Sequence, residues 1–406
     1  MEEVLKVRLV RIALLADVFP PLRSSGAVQL RDLAAELGSQ GHDVTVLVAS
    51  PGLRRPWQIE KLGAVTVVRL AAPRTKDVGL IRRAFAELLM PFSMRRNLHR
   101  SPLGGVKWDG IVWYSPSIFL GPLANALKTT SGCRGYLIVR DIFPEWAVDM
   151  GLMGRGLPYR LLKFVANYQY EVADVIGIQS PGNRGYFERW TRRLPEKVEV
   201  LQNWLAPAMP GFCSISVAGT PLAGRTIFVY AGNMGIAQGM SVLLDLAEGL
   251  KARQDIGFLL VGRGSDAMAL RRSAQERGLA NVLFYDEIEP AEIAGLYAQC
   301  HVGLVALDPR HRTHNIPGKF LSYMQAGLPV LAAVNAGNDL VALIESEGVG
   351  RVGTDGSAIT LAGLAVDLVL EVRREGNDYD VRCRKLADRL FSPRVAASQV
   401  ARALTR

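Results

Sequence analysis

Short apolar runs recur along the whole chain, and polar loops separate them. Residues 29–38, between the first two runs, repeat apolar positions at helical spacing, so the chain opens with a strand-helix-strand unit. Apolar runs of this kind between Gly- and Pro-containing turns are typical of strands buried on both faces, as in parallel sheets. The runs lie at 12–16, 44–49, 65–70, 110–114, 136–140, 175–179, 198–201, 226–230, 257–261, 282–284, 302–306 and 329–332.

The length and the spacing of these runs predict two domains. A chain of 406 residues exceeds what one compact core accommodates, and Pro and Gly cluster at 206–211 between the two series of runs. We predict an α/β protein with two doubly wound, Rossmann-like parallel-sheet domains, residues 1–208 and 209–389, facing across a cleft. Because ligands of such sheets bind beyond the carboxyl ends of the strands, the substrate is expected in that cleft.

The charge is unevenly distributed between the two halves. Residues 1–205 carry 28 Lys and Arg against 18 Asp and Glu, a net of +10, whereas residues 206–406 carry 20 of each. A basic half indicates contact with an anionic surface, either membrane phosphate or nucleic acid. We favour the membrane and predict no nucleic-acid partner, because the chain has neither zinc-ligand spacing nor an RNA-binding aromatic signature.

Cysteine usage and hydropathy indicate the compartment. The four cysteines are far apart and form no Cys-x-x-Cys pair, which predicts neither a disulfide framework nor a metal site. Asp17 interrupts the first apolar run, which argues against a signal peptide, and no apolar run is long enough to span a bilayer. We therefore expect a cytoplasmic protein, peripherally associated with the inner face of the membrane.

Two helices of the basic half are predicted to be amphipathic, at 80–96 and 157–170. Each has two interpretations: its apolar face packs on its own sheet, or it lies on an anionic membrane surface. The charge asymmetry favours the membrane interpretation for the helix at 80–96. Pro91 is expected to bend or interrupt that helix.

The stretch 311–330 reads as a polar loop, a short helix, a Gly-Leu-Pro break and a strand. Pro317 and Gly318 begin the helix, whose first N–H groups form a site for an anion such as phosphate. An ordinary loop-helix-strand unit with a solvated basic rim is the alternative. Positive charge at this end is supplied by Lys319, Arg310, Arg312 and His314.

Several motifs occur in an order that resembles a known family. They are Phe19-Pro20-Pro21, Ser25-Gly26, Gly41-His42-Asp43-Val44, Arg140-Asp141-Ile142-Phe143-Pro144-Glu145, Ser180-Pro181-Gly182, Gln202-Asn203-Trp204, residues 230–239, Val261-Gly262-Arg263-Gly264 and residues 316–329. Together they resemble the family 4 glycosyltransferases, the large retaining group with the two-domain GT-B fold. The likeness is greatest to the bacterial branch that builds surface polysaccharides such as O-antigen and capsule, including fucosamine-transferase-like enzymes.

This resemblance implies that the two domains bind different substrates. The second domain would bind a nucleoside-diphosphate sugar, UDP-linked, and the first a polyprenyl-linked saccharide acceptor, with no bound metal or other cofactor. A last helix at about 390–406 would return to the first domain. The implied donor-binding residues are Gly232, Asn233, Gly235, Gln238, Arg263, Pro317, Gly318, Lys319 and Ser322.

The chain departs from the family pattern at four of its expected site positions. His314 and Ser322 stand where the family commonly has a pair of Glu, and Asn233 and Gln238 stand where it has Arg and Lys. Neutral amides stabilise a diphosphate less than cations do. Catalysis would therefore depend on Lys319, with Arg263 compensating and His314 facing the sugar.

On the acceptor side, Asp141 and Glu145 follow the strand at 136–140. Either carboxylate could orient or deprotonate the acceptor hydroxyl as a catalytic group. Alternatively, Glu145 is a helix-terminal acid and Asp141 pairs with its neighbouring arginine. Ser25 and Gly26 stand where the family has a double glycine near the acceptor and the phosphates.

Three other functions compete with sugar transfer. Residues 262–267 match Gly-x-Gly-x-x-Ala, which would suggest a nicotinamide-binding oxidoreductase, although they follow the second strand of their domain and not the first. A nucleotide-sugar epimerase would use the same donor domain. A catalytically silent relative that binds lipid or partner proteins would explain Ser322 and the missing cations.

Overall fold

The computed structural model describes residues 9–22, 24–75, 78–310, 312 and 316–406. The chain divides into two compact units, Met1–Trp204 with Pro393–Arg406, and Leu205–Ser392. Of the residues expected at the site, His314 lies outside the described residues.

An eight-stranded sheet forms the centre of the first unit, in the order β3-β4-β2-β1-β5-β6-β7-β8. Neighbouring strands are parallel except β3, which pairs antiparallel with β4. The strands are β1 Arg11–Ala16, β2 Asp43–Pro51, β3 Trp57–Leu62, β4 Val65–Ala72, β5 Gly110–Ser115, β6 Arg134–Val139, β7 Val175–Ile178 and β8 Val198–Val200.

Helices cover both faces of this sheet. Those preceding the second unit are α1 Ser25–Ser39, α2 Leu80–His99, α3 Gly121–Ser131, α4 Glu145–Asp149, α5 Leu157–Val172 and α6 Glu188–Thr191. Apolar residues of α2, α3 and α5 share one core on the same face of the sheet, and α3 packs between α2 and α5. The expected interruption of α2 does not occur: the helix continues through Pro91 to His99, because the turns around Pro91 are held by Met90 and Met94 in the core.

The second unit is built on a six-stranded, all-parallel sheet in the order β11-β10-β9-β12-β13-β14. Its strands are β9 Thr226–Ala231, β10 Ile256–Val261, β11 Val282–Tyr285, β12 Val302–Ala306, β13 Val330–Ala333 and β14 Gly350–Gly353. Its helices are α7 Ser241–Gly249, α8 Ala267–Glu276, α9 Ile293–Tyr297, α10 Gly318–Ala326, α11 Asp339–Glu347 and α12 Ala358–Leu390.

The last helix, α13 Pro393–Thr405, returns to the first unit and packs against α1. Its side chains Ala397, Val400 and Ala401 are fully buried in a core that also contains residues of β1 and β2. Among the described residues, no helix combines the length and the apolar character needed to cross a bilayer.

The prediction of two doubly wound parallel-sheet domains is confirmed. In each sheet the strand order reverses direction at one point, between β1 and β5 in the first unit and between β9 and β12 in the second. Crevices for ligands form at such points, outside the carboxyl ends of the strands.

Candidate functional site

Two glycine turns lie against each other at the carboxyl edge of the second sheet. Gly232, which follows β9, has a φ of +143°, and Gly262, which follows β10, has a φ of +146°. A Cβ on Gly262 would overlap the carbonyl oxygen of Gly232, and a Cβ on Gly264 would overlap that of Met234. Glycine is required here because the two loops approach through their main chains.

Side chains fix the shape of the turn after β9. The Gln238 Oε1 accepts hydrogen bonds from Gly235 N at 3.0 Å and from Asn233 Nδ2 at 3.2 Å. The buried Tyr230 donates its hydroxyl to the Asn233 carbonyl at 2.5 Å. The turn is therefore held without any charged group of its own. The expected residues Gly232, Asn233, Gly235 and Gln238 are brought together.

Lys319 lies over the same turn. Its Nζ is 4.4 Å from the centroid of the Tyr230 ring, and a Cβ on Gly232 would be 3.7 Å from its Cε. Burial lowers the pKa of Lys319 from 10.5 to about 8, because the charged form loses hydration. Within the described part of the chain, no carboxylate forms an ion pair with it. The sheet edge thus presents a half-buried cation that no described carboxylate neutralises.

The start of α10 adds hydrogen-bond donors beside Lys319. Pro317 has extended backbone and precedes the helix, and Phe320 N donates to the Pro317 carbonyl at 2.9 Å. The helical N–H groups of Gly318 and Lys319 have no carbonyl partner four residues earlier within the helix, as in any first turn. A helix N-terminus with a lysine and a glycine turn is suited to hold a phosphate group.

Two expected residues are engaged differently. The Ser322 hydroxyl donates to the Gly318 carbonyl of its own helix at 3.3 Å. The Arg263 side chain is 81% exposed, and its Nε lies 2.9 Å from a Glu287 carboxylate oxygen. Arg263 contributes to the turn through its backbone, since its carbonyl accepts from Met234 N at 2.8 Å. Lys319 is therefore the cation that faces the glycine turn.

Tyr230 begins the motif at 230–239, but no role was predicted for its side chain. It stands in the apolar run 226–230, where an aromatic residue is typical of a core. Its ring supports Lys319 and its hydroxyl fixes the turn, so one side chain joins the two parts of the site. The available signal was its place as the last residue of the run before Ala231-Gly232.

At the carboxyl edge of the first sheet, polar side chains bond to one another. The Tyr114 hydroxyl donates to Gln29 Oε1 at 3.0 Å, and Arg140 Nη1 donates to the same oxygen and lies 3.3 Å from the Tyr114 hydroxyl. Burial raises the pKa of Tyr114, Arg140 opposes the rise, and Asp141 and Asp17 add to it. The carboxylates of Asp141 and Asp17 therefore act on this phenol through their negative charge.

The predicted loop at Ser25 and Gly26 lies above this network. Ser25 is exposed at the start of α1, and a Cβ on Gly26 would be 3.3 Å from Tyr114 Cε1. Since only a small residue fits against the ring, Gly26 lets the helix start approach the sheet. The structure brings Gly26 and Asp141 to one edge. Gln29 and Tyr114 were missed, although each is a polar position in an apolar segment.

Glu145 is the first residue of α4 and forms an ion pair with Lys163 of α5. Its other oxygen, Oε2, is buried and has no hydrogen-bond partner among the described residues. The carboxylate is thus neutralised by a neighbouring helix. Asp141, four residues earlier, is half-buried.

Comparison with known proteins assigns this architecture. Residues 225–368 match the family model described as Glycosyl transferases group 1. WbjE of Pseudomonas aeruginosa, named as a probable glycosyltransferase, is 24% identical over 306 residues, 74% of this chain and 75% of WbjE. WcaI of Escherichia coli strain K12, named for a glycosyl transferase of colanic acid biosynthesis, is 25% identical over 271 residues, 61% of this chain and 65% of WcaI.

Solved structures show the same fold over the whole chain. Sucrose-phosphate synthase from Thermosynechococcus elongatus has a TM-score of 0.72 at 16% identity, covering 97% of both chains. HepE from Anabaena, solved in complex with UDP-glucose, has a TM-score of 0.64 at 16% identity, covering 98% of this chain and 99% of HepE. The predicted GT-B fold is thereby confirmed, and the sequence matches support glycosyltransferase activity.

Proposed function

We propose that this chain is a retaining glycosyltransferase that moves a sugar from UDP to a lipid-carried saccharide. One observation carries the proposal: the Lys319 cation, which pairs with no carboxylate of the described residues, lies over the Tyr230 ring and beside the glycine turn at a topological switch point. The solved relative HepE binds UDP-glucose, which supports UDP as the nucleotide here. The diphosphate would rest on Lys319 and the first turn of α10.

The chemistry assigned to these residues is stabilisation of the leaving group. The acceptor oxygen bonds to the anomeric carbon while the bond from that carbon to the diphosphate oxygen breaks. The acceptor proton passes to a phosphate oxygen of the departing UDP, so no separate base is required. Lys319 and the N–H groups of α10 lower the barrier because they oppose the charge that develops on that oxygen.

The acceptor side of the proposal rests on the first unit. Asp141 and Gly26 stand at the carboxyl edge of its sheet, where Asp141 would orient the acceptor hydroxyl. Glu145 would help to position its neighbours and would not accept a proton, since its carboxylate is paired with Lys163.

A polyprenyl-linked acceptor requires contact with a membrane, and α2 has a surface suited to it. Its exposed apolar side chains are spaced three and four residues apart, with arginines of the helix around them. We propose that this face of α2 lies on the anionic inner surface of the membrane. The exposed apolar residues are Phe85, Leu88, Leu89 and Phe92, and the exposed arginines are Arg82, Arg83, Arg95 and Arg96.

Titration calorimetry with UDP and a panel of UDP-sugars tests the nucleotide assignment. We expect UDP to bind with a dissociation constant in the micromolar range, and UDP-sugars to be consumed only when a polyprenyl-linked saccharide is present. Isomerisation of the donor without an acceptor would instead establish the epimerase. Absence of affinity for every nucleotide would refute the proposal.

A further inference from the structure

The outer face of α5 carries a second exposed apolar surface that neither the core nor the site uses. Ala166, Gln169 and Tyr170 form the buried side of this helix, and Val172, its last residue, is also buried. At about 100° per residue, the exposed residues occupy an arc of roughly 60° on the opposite side. This α5 outer stripe consists of Leu157, Leu161, Phe164 and Tyr168, which are 79%, 57%, 70% and 38% exposed.

Exposure of this extent requires an explanation. Single exposed apolar residues are ordinary, but a contiguous row of large ones on one helix face marks a surface that contacts another phase or molecule. Leu152, in the loop before the helix, is also a large apolar residue and is 64% exposed.

The charges around the stripe indicate what covers it. Arg155 and Arg160 are exposed beside the stripe, and Lys163 neutralises Glu145. The acidic residue near the far end, Glu171, is paired with Arg189. Together with the net charge of +10 in residues 1–205, this arrangement complements an anionic surface.

The position of α5 in the fold adds a second argument. Helices α2, α3 and α5 cover the same face of the first sheet, with α3 between the other two. The outer sides of α2 and α5 therefore both point away from that face. A membrane bound by α2 would lie on the side of the unit where the α5 outer stripe is exposed.

We propose that the α5 outer stripe inserts into the interfacial region of an anionic bilayer, as a second docking helix beside α2. This inference rests on the membrane contact proposed for α2 and extends it. A second copy of the chain is a less suitable occupant, because a symmetric contact would gather the basic groups of two strongly positive units.

The test measures partitioning of the full chain onto vesicles. With vesicles of 30% phosphatidylglycerol in phosphatidylcholine, the double variant Leu161→Ser, Phe164→Ser should bind at least about tenfold more weakly than the unmodified protein. The matched control is Ile359→Ser, Leu370→Ser on α12 of the second unit, where both side chains are 87% and 57% exposed. The control should change partitioning less than twofold.

Three outcomes would overturn the inference. The first is partitioning of the α5 variant within twofold of the unmodified protein while Phe85→Ser, Phe92→Ser on α2 loses binding. The second is equally strong binding to pure phosphatidylcholine. The third is a dimer, seen by light scattering, that the α5 variant dissociates. UDP titration of the same samples separates this test from that of the proposed function, because neither helix contributes to the Lys319 site.

Discussion

The charged side chains at the carboxyl edges of the two sheets differ in the partners they have. In the first unit, Arg140 bonds to Gln29 and Tyr114, and Glu145 is neutralised by Lys163. In the second unit, Lys319 is held over an aromatic ring with no ion pair to any described residue. At the first edge the charged groups named here have partners within the unit, whereas at the second Lys319 has no carboxylate partner among the described residues.

This difference indicates which of the two sheet edges gains more free energy when an anion binds. A buried charge without a partner costs folding free energy, which an arriving anion recovers. A cation already paired gains less from a ligand, because the ligand must replace an existing interaction. The second edge is therefore the better phosphate site, although residues 1–205 carry the entire net positive charge of the chain.

The largest effect is expected from Lys319→Met. UDP affinity should fall about 30- to 100-fold, since a charge-assisted contact contributes about 2–3 kcal/mol. The folded protein should at the same time gain about 1–2 kcal/mol of stability, because a poorly hydrated ammonium is replaced by a thioether of similar length. Calorimetry and thermal unfolding at pH 7 measure the two changes.

Lys385→Met is the control for this variant, since Lys385 is an exposed lysine on α12 of the same unit. It should alter neither quantity appreciably. The stability gain of Lys319→Met should also depend on pH, in a direction that can be measured. Folding lowers the pKa of Lys319 from 10.5 to about 8, so the penalty is complete below pH 8 and disappears as pH rises to 10.5. A Lys319→Met variant that is less stable than the unmodified protein at pH 7 would contradict this account.

A smaller effect is expected from pH alone. The free protein loses the Lys319 charge above about pH 8, whereas the second ionisation of a phosphate is largely complete by pH 7. UDP should therefore bind about tenfold more weakly at pH 9 than at pH 7, and Lys319→Arg should remove most of that dependence. A flat profile between pH 7 and 9 would show that the cation does not contact the diphosphate.

The smallest effect is expected from Tyr230→Phe. This change removes the hydrogen bond to the Asn233 carbonyl but keeps the ring beneath Lys319. UDP should bind about three- to tenfold more weakly, with the midpoint of the pH profile unchanged. Tyr230→Leu, which also removes the ring, should shift that midpoint. Equal pH profiles of UDP binding for the two variants would show that the Tyr230 ring does not influence the titration of Lys319.

Most of the fold was predictable because buried parallel strands are continuous apolar runs. The elements that were missed lack that signature. Strand β3, Trp57–Leu62, is an antiparallel edge strand in which no residue is fully buried, and β14, Gly350–Gly353, contains two glycines in four residues. The order of strands was not predictable, since it depends on which crossovers reverse direction.

The candidate site was predictable only where its residues adjoin one another in the chain. The glycine turn and the start of α10 each appear as a local motif, so Gly232, Gly318 and Lys319 could be named. The ion pair of Arg263 with Glu287 joins separate loops and leaves no local signal. Helical periodicity likewise identified the apolar positions of α5 without showing that one row of them is exposed.

The ion pair between Lys163 and Glu145 connects α5 to the start of α4 in the first unit. Lys163 stands on α5 between Leu161 and Phe164, and Glu145 begins the short helix that follows Asp141. A displacement of α5 relative to the sheet therefore pulls on the loop at 140–145. Trp146 follows Glu145 directly, and its ring centroid is 6.3 Å from that of Phe143. In a variant without the other five tryptophans of the chain, its fluorescence would report such a displacement.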